Sequence, residues 1–278
     1  MGVKVYQIGK GKPKQTKYEI ENDVFVSNHF DAKYNYQFIS QGIGRYEYST
    51  QNEFISYGEW LAEPRKKEYF DNPKIVIREI INPRIFATFI YEKAVVKNIA
   101  AVIIENNKNY NIKFLLGLMN SKLISFYVNE QSPKSNNKSY PSFNSRLLKN
   151  IPIPKTNPTN QNPIIEKADL MLQLNKDIKE QTRKFISLLK SDFKIEKPSK
   201  KIEEFYLLEW SDFNKELQKN KITLIGVSKD DWYDRFERFK KQALELKAQI
   251  TQTDHEIDRM VYALYELTEE EIQIVEES

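Results

Sequence analysis

The sequence predicts an α+β protein. A mixed lobe of strands and helices fills residues 1–160, and a long-helix region, antiparallel and coiled-coil-like, fills residues 161–278 with a small insert at 194–228. Three observations carry this. Runs rich in β-branched and aromatic residues fill much of the first part at strand length. Two stretches in the second part repeat apolar residues every three or four positions, as paired helices do. Between the parts lies KTNPTNQNP, rich in Asn and Pro and without either periodicity.

Near the N-terminus, VKVYQIG reads as a short strand and GKGKPKQTK as a basic turn around Gly9, Gly11 and Pro13. Small residues there let backbone amides, Lys10, Lys12 and Lys14 approach phosphates closely. A plain hairpin turn has the same letters. It is not a P-loop, because the spacing and the magnesium-holding Ser or Thr are missing.

Residues 34–60 alternate aromatic and polar side chains, a strand pattern, with Gly42 and Gly44 marking a turn. Arg45 is followed by Tyr46 and Tyr48, and Tyr57 leads through Trp60 to Arg65, Lys66 and Lys67. Cations interleaved with rings suit nucleic acid, through phosphate charge and base stacking. A half-buried sheet gives the same pattern. Three β-branched runs follow, 75–81, 85–91 and 94–104, with Pro73 and Pro83 at their boundaries, where a missing ladder donor costs least. Arg78, inside such a run, reads as a buried and paired structural arginine.

Residues 111–130 read as one helix apolar on most sides, and so buried. The polar stretch after it carries Lys134, Lys138 and Arg146, with no acidic residue over 132–155, and Ile151-Pro152-Ile153-Pro154 must be extended. A buried helix holding out a basic, amide-rich loop suits recognition; an ordinary solvated loop is the alternative. Asn162 is the expected N-cap of the first long helix, with Pro163 in its first turn. Its seam is Ile164, Ala168, Met171, Ile178, Phe185 and Leu189, with Asn175 and Thr182 filling two seam positions. A short helix is expected at 211–219. Ser228 and Asp231 form the expected capping box of the second long helix. Its seam is Trp232, Phe236, Phe239, Ala243, Leu246, Ile250, Thr253, Ile257 and Leu264. A last short helix is capped by Thr268 and Glu271.

Charge is distributed unevenly. Residues 1–160 carry 23 Lys and Arg against 14 Asp and Glu, whereas residues 161–278 carry 20 against 25. A basic first part points to a polyanion, although chance unevenness among solvated faces gives the same count. The chain has no Cys, so neither a disulfide framework nor a thiolate metal site is available. No apolar run nears the ~20 residues of a membrane span, and no signal-peptide core is present. Position six is Tyr6, which argues against myristoylation at Gly2. These features fit the cytoplasm.

Catalytic motifs are missing. An amine methyltransferase needs Asn/Asp-Pro-Pro-aromatic, and both Asn82-Pro83-Arg84 and Asn162-Pro163-Ile164 lack the second proline and the ring. Glu245-Leu246-Lys247 has a nuclease's letters but lies mid-helix without a partnering Asp. His29 and His255 have no ligand-like spacing, and nucleophile motifs are absent.

The order YGEWLAEPR, PKIVIREI, FLLGLMNSKLISFY, LLKNIPIPK, IIEKADLMLQLNK and IDRMVYALYELTEEEIQIVE resembles the TaqI-like C-terminal specificity domain. That region stands behind the adenine methyltransferase in Eco57I-like, type IIG-style restriction–modification enzymes. The resemblance runs from about Val5 to Glu277, and its most specific pieces are LMNSKLISFY with LLKNIPIP and the VYALYELTEEEI ending. It implies a DNA target-recognition lobe, non-catalytic by itself, that reads a short duplex sequence from the major groove. Its partners are double-stranded DNA and a methyltransferase/endonuclease domain or subunit. S-adenosylmethionine and magnesium belong to that other part, which flips and methylates the adenine, and no cofactor is expected in this chain.

Because base readers in the family vary with the target, candidate residues rest on chemistry. Lys10, Lys12 and Lys14 are candidates for phosphate contacts, with Arg65, Lys66, Lys67 and Lys134 as further DNA-binding candidates. Arg45, Asn136, Asn137 and Lys138 are candidates for base edges, since Arg suits guanine and Asn suits adenine. Tyr46, Tyr57 and Tyr140 are candidates for stacking. Two other readings stay open: a helical scaffold or protein-interaction module with no DNA role, and an enzyme whose site the motifs do not reveal.

Overall fold

A computed structural model describes residues 1–81, 83–132, 144–195 and 197–278. Two compact units emerge: Met1–Leu172 together with His255–Ser278, and Gln173–Asp254. This differs from the division expected at residue 160, since the end of the chain groups with the beginning.

The first unit is built on two small sheets. Strands β1 (Val26–Ser27), β2 (Tyr36–Ile39), β3 (Phe54–Ile55) and β6 (Ala94–Val96) form one sheet in the order β1-β3-β2-β6, with β2 and β6 parallel. Strands β4 (Lys74–Arg78), β5 (Ala87–Ile90) and β7 (Ala100–Ile104) form an antiparallel sheet in the order β5-β4-β7. The third β-branched run is therefore two strands in different sheets. The N-terminal segment adds a parallel bridge from Val3 to Lys97 and an antiparallel one from Lys4 to Glu63. Short helices α1 (Lys17–Glu21) and α2 (Glu68–Asp71) decorate this lobe. Thr16 and Glu19 make a capping box for α1. Arg78 is half-buried, its guanidinium 3.7 Å from the centre of the Phe86 ring and its Nε donating to the Ile80 carbonyl.

The expected single apolar helix is two: α3 (Ile112–Asn120) and α4 (Lys122–Gln131). Ser121 is extended between them, and its hydroxyl accepts from the Ile124 amide as the N-cap of α4. The break follows from what Asn120 does. It is fully buried, and its amide accepts from the Ala87 N–H at 3.0 Å and donates to the Ala87 carbonyl at 2.9 Å. Ala87 opens β5, the edge strand of its sheet, so the Asn120 side chain serves as the missing neighbour. The Asn120 carbonyl accepts from Arg45 at 3.0 Å and from Arg84 at 2.7 Å. Arg84 also pairs with Asp258 at 3.1 Å, and Asp258, 2 % exposed, accepts from the Lys122 amide at 2.7 Å. Ser125 completes the knot, donating to the Ser121 carbonyl and accepting from the Ile85 amide. Helix α5 (Ser145–Asn150) follows, capped by Asn144.

Helix α6 (Pro158–Phe193) starts five residues earlier than expected. The sequence offers two Asn-Pro pairs, and the first is used: Asn157 accepts from the Asn160 amide, which leaves Pro163 inside the helix. Gln161, buried, ties this turn to α3 by accepting from the Asn111 amide and donating to the Asn109 carbonyl. Gly117 faces it. A methyl group there would sit 2.5 Å from the Ile164 side chain, so glycine lets α3 and α6 approach.

In the second unit, α6 pairs with helix α9 (Val227–Leu264), and α7 (Lys200–Glu203) and α8 (Trp210–Lys219) lie between them in the chain. Phe193 meets Trp232 and Phe185 meets Phe239, so the two long helices run antiparallel here. The expected seams are buried at Ile178, Phe185, Leu189, Trp232, Phe236, Phe239 and Ala243. Leu174, unforeseen, is buried as well, while Asn175 and Thr182 are half-exposed. Phe185 and Phe205 stack at 3.8 Å within a core that also holds Ile202, Phe213 and Leu217. Ser228 is not a cap: it lies inside α9 and its hydroxyl donates back to the Ile225 carbonyl. Helix α10 (Glu269–Glu276), with its Thr268–Glu271 capping box, closes the first unit.

Two predictions follow from these packings. Removing one member of a buried ion pair leaves the other uncompensated, which costs about 3–5 kcal/mol. Arg84→Met is expected to lower the unfolding free energy by that amount in urea titrations, and Asn120→Leu by about 2–3 kcal/mol for the polar groups it strands. The second concerns Lys74, which opens β4 fully buried with Nζ 2.8 Å from the Glu92 carbonyl. Burial brings its ammonium down to about 8, against the opposing pull of the Glu92 and Asp71 carboxylates. Between that value and the ~10.4 of an unfolded lysine, only the unfolded chain keeps the proton, so stability rises with pH. Thermal melts from pH 7 to 9.5 should show the rise, and Lys74→Met should be more stable at pH 7 and lack that component.

Candidate nucleic-acid interface

The basic turn is pinned by its backbone and free at its side chains. Gly9 and Gly11 have φ of 76° and 83°, a region that other residues adopt at a cost. A side chain at Gly11 would also collide with the Trp60 carbonyl, 2.3 Å from the first added carbon. Gln15, 3 % exposed, is the clamp: its Oε1 accepts from the Gln7 amide, and its Nε2 donates to the carbonyls of Val5 and Trp60. The Gln15 amide donates to the Lys10 carbonyl, and the Lys12 amide to the Glu59 carbonyl. With the main chain fixed this way, Lys10, Lys12 and Lys14 are all exposed. Lys12 lies 3.5 Å from Glu59, with both side chains largely in water, a contact worth about 0–1 kcal/mol at most. No sequence signal marked Gln15. It is a polar residue at the end of a polar turn, and only the pairing with Trp60 reveals its role.

The second basic segment lies at the far end of the same pairing. Val5 pairs with Ala62 and Lys4 with Glu63, and the Arg65 Nε donates to the Gly2 carbonyl. Residues 59 to 65 therefore link the lysine turn to Arg65, through a turn at Glu59 and Trp60 and the bridge at Glu63. Arg65, with φ of 64°, also ion-pairs with Glu63. Lys66 lies 3.5 Å from Glu68 and Lys67 3.9 Å from Asp71, and both lysines remain exposed. Tyr57 is half-buried, its ring against Tyr36 and Phe70 and its hydroxyl donating to the Arg65 carbonyl. Burial first, and then the Asp71 carboxylate, raise the Tyr57 phenol above its ordinary value, which keeps that donor protonated. Tyr57 thus holds the Arg65 segment in place and packs rings on its inner side.

Arg45 and Tyr46 stand elsewhere, and the burial of Tyr46 corrects the stacking suggested for it. The Arg45 guanidinium is engaged with the Asn120 carbonyl inside the first unit. Tyr46 is 2 % exposed with φ of 58°, and its amide donates to the Ala87 carbonyl. A buried ring has no face to offer a base, so stacking at Tyr46 is ruled out in this conformation. Lys134, Asn136, Asn137, Lys138 and Tyr140 lie outside the described residues. Among the described residues, no group of three or more His, Asp or Glu side chains is gathered as metal ligands would be, and His29 and His255 are both exposed. No helix among them is long and apolar enough to cross a membrane.

Comparison with known proteins divides the chain in two. Residues 157–261 match the family model described as Domain of unknown function (DUF8810). No curated protein matches the chain. The other match covers 38–153, shorter than the stretch from Val5 to Glu277 over which the sequence resemblance was read, and leaves the lysine turn outside it. It takes in β2 to β7, the Asn120–Ser121 break and α5: residues 38–153 match the family model described as TaqI-like C-terminal specificity domain.

Proposed function

We propose that this chain recognises a short duplex DNA sequence for a restriction–modification enzyme and leaves the chemistry to another segment or subunit. The family match over residues 38–153 carries the reading. Exposed lysines on a pinned backbone support it, because phosphate contacts fix register and orientation only where the donors are held in place. Lys10, Lys12, Lys14, Lys66 and Lys67 are the proposed phosphate contacts, with Arg65 at the root of its segment. The basic, amide-rich stretch with Lys134, Asn136, Asn137, Lys138 and Tyr140 is proposed to supply base-edge contacts, since Asn and basic side chains match the donor and acceptor pattern of the major groove.

In this reading the chain does no chemistry. It positions duplex DNA for an adenine methyltransferase/endonuclease part, to which S-adenosylmethionine and magnesium belong, and it works in the cytoplasm.

Duplex binding measured against salt tests the reading. Six phosphate contacts give a log–log slope of about −5, and Lys10→Ala/Lys12→Ala/Lys14→Ala should make it shallower by about 2–3, at about 0.9 per contact. A flat salt response sinks the DNA reading. Incubating the pure chain with DNA and magnesium, or with S-adenosylmethionine, is expected to yield no product, and turnover by it would show that a catalytic site was overlooked.

A further inference from the structure

The second unit carries a feature that DNA reading by the first does not use. Along α6 the buried positions Leu174, Ile178, Phe185 and Leu189 form one line. Half a revolution away, Lys176, Lys179, Arg183, Ser187 and Lys190 form another, spaced three, four, four and three residues apart; Lys194 continues it one residue past the helix end, with φ of 53°, and all six are exposed. At 1.5 Å per residue the row is about 27 Å long.

No carboxylate stands in it. Glu180 borders the row, and its carboxylate is taken by Lys184 at 2.8 Å. Among the described residues, Lys176, Arg183, Lys190 and Lys194 have no ion-pair partner. Helix α9 is the contrast. Arg235 pairs with Asp192 at 3.2 Å and Lys240 with Glu209 at 2.9 Å, and its exposed face interleaves Asp230, Asp231, Asp234 and Glu245. Like charges three or four residues apart on a helix repel, so the row costs stability in the free chain and an anionic partner would offset it.

We propose that this face of α6 is a binding ridge for the sugar-phosphate backbone of duplex DNA outside the sequence that is read. The proposal rests on the reading of the chain as DNA-binding. Phosphates rise 3.4 Å apart along one strand, so the row spans about eight of them. Its composition favours nucleic acid over an acidic protein: five cations and a hydroxyl offer donors throughout and no apolar residue to bury, whereas protein interfaces have an apolar centre. Contacts of this kind add affinity uniformly and leave sequence choice untouched.

The test uses the full chain, with Lys176→Gln/Arg183→Gln/Lys190→Gln/Lys194→Gln made together, beside wild type and the Lys10/Lys12/Lys14 variant. All four positions are exposed, and a thermal melt no lower than that of wild type confirms folding. Duplex binding against salt should lose about 3–4 from the log–log slope, while the sequence preferred in a randomised-duplex selection stays the same. Glu180→Gln probes the opposite sign and should bind more tightly. An unchanged slope in the quadruple variant, with wild type still salt-dependent, overturns the ridge and leaves the DNA reading standing; weaker binding by Glu180→Gln also counts against it. A flat response in wild type removes both.

Discussion

A buried carboxamide with every hydrogen-bonding atom engaged is the constraint on which the first unit depends. Asn120 offers its side chain to both polar groups of Ala87 and its carbonyl to two arginines. An apolar residue there would keep the carbonyl for the guanidiniums but strand the Ala87 amide on the edge of β5, and buried polar groups left unmade are expensive. The helical path must stop to let this happen. At Ser121 the chain turns extended, α3 ends, and α4 starts under a new cap with its first amide on Asp258. One residue thereby sets where one helix ends and the next begins, how a sheet is edged and where a buried charge pair sits.

That economy explains what could be read in advance. Strand positions, both seams of the long helices and the Thr268–Glu271 box follow from local patterns, and local patterns are visible in a sequence. The break at Asn120–Ser121 is not, because LLGLMNSKLISFY is apolar enough for one helix, and only the distant Ala87 gives the Asn a reason to be there. Choosing between Asn157-Pro158 and Asn162-Pro163 as a helix start fails likewise: either pair fits the rule, and Gln161 reaching Asn109 and Asn111 fixes the earlier one. Ser228 had the letters of a cap and a nearer carbonyl to bond. Among the site residues, Arg45 and Tyr46 looked like a reading pair because they adjoin in sequence beside a turn. The turn carries them inward, to Asn120 and Ala87.

The lysine turn shows the same division in reverse. Its exposed charges were legible, since nothing distant is needed to put a lysine in water. Its rigidity was not, since that resides in Gln15 and in Trp60, 45 positions on. A rigid backbone matters for lysines in particular. The ammonium is a point charge on a flexible stem, so the register of such contacts on a phosphate chain can be set only by the main chain beneath. Tyr57 plays the equivalent part for the second segment by holding the Arg65 carbonyl.

Family boundaries and physical boundaries need not coincide, and here they do not. The specificity-domain match runs over 38–153, yet the groups that satisfy its interior come from outside that span. Val3 and Val5 line its core. Gln161 and Ile164 of α6 seat α3. Asp258 neutralises Arg84, the Tyr265 hydroxyl donates to the Pro152 carbonyl, and Glu276 pairs with Lys122. Asp258 weighs most, because an arginine head drawn into the fold without its carboxylate carries the full desolvation penalty. The smallest piece that keeps Arg84 with its carboxylate is therefore the first unit as it stands, its C-terminal segment included. The chain between the two halves of that unit, residues 173–254, has its own aromatic core, so it can vary its surface without disturbing the Asn120 knot, and a surface of that kind is where a row of exposed cations is tolerated.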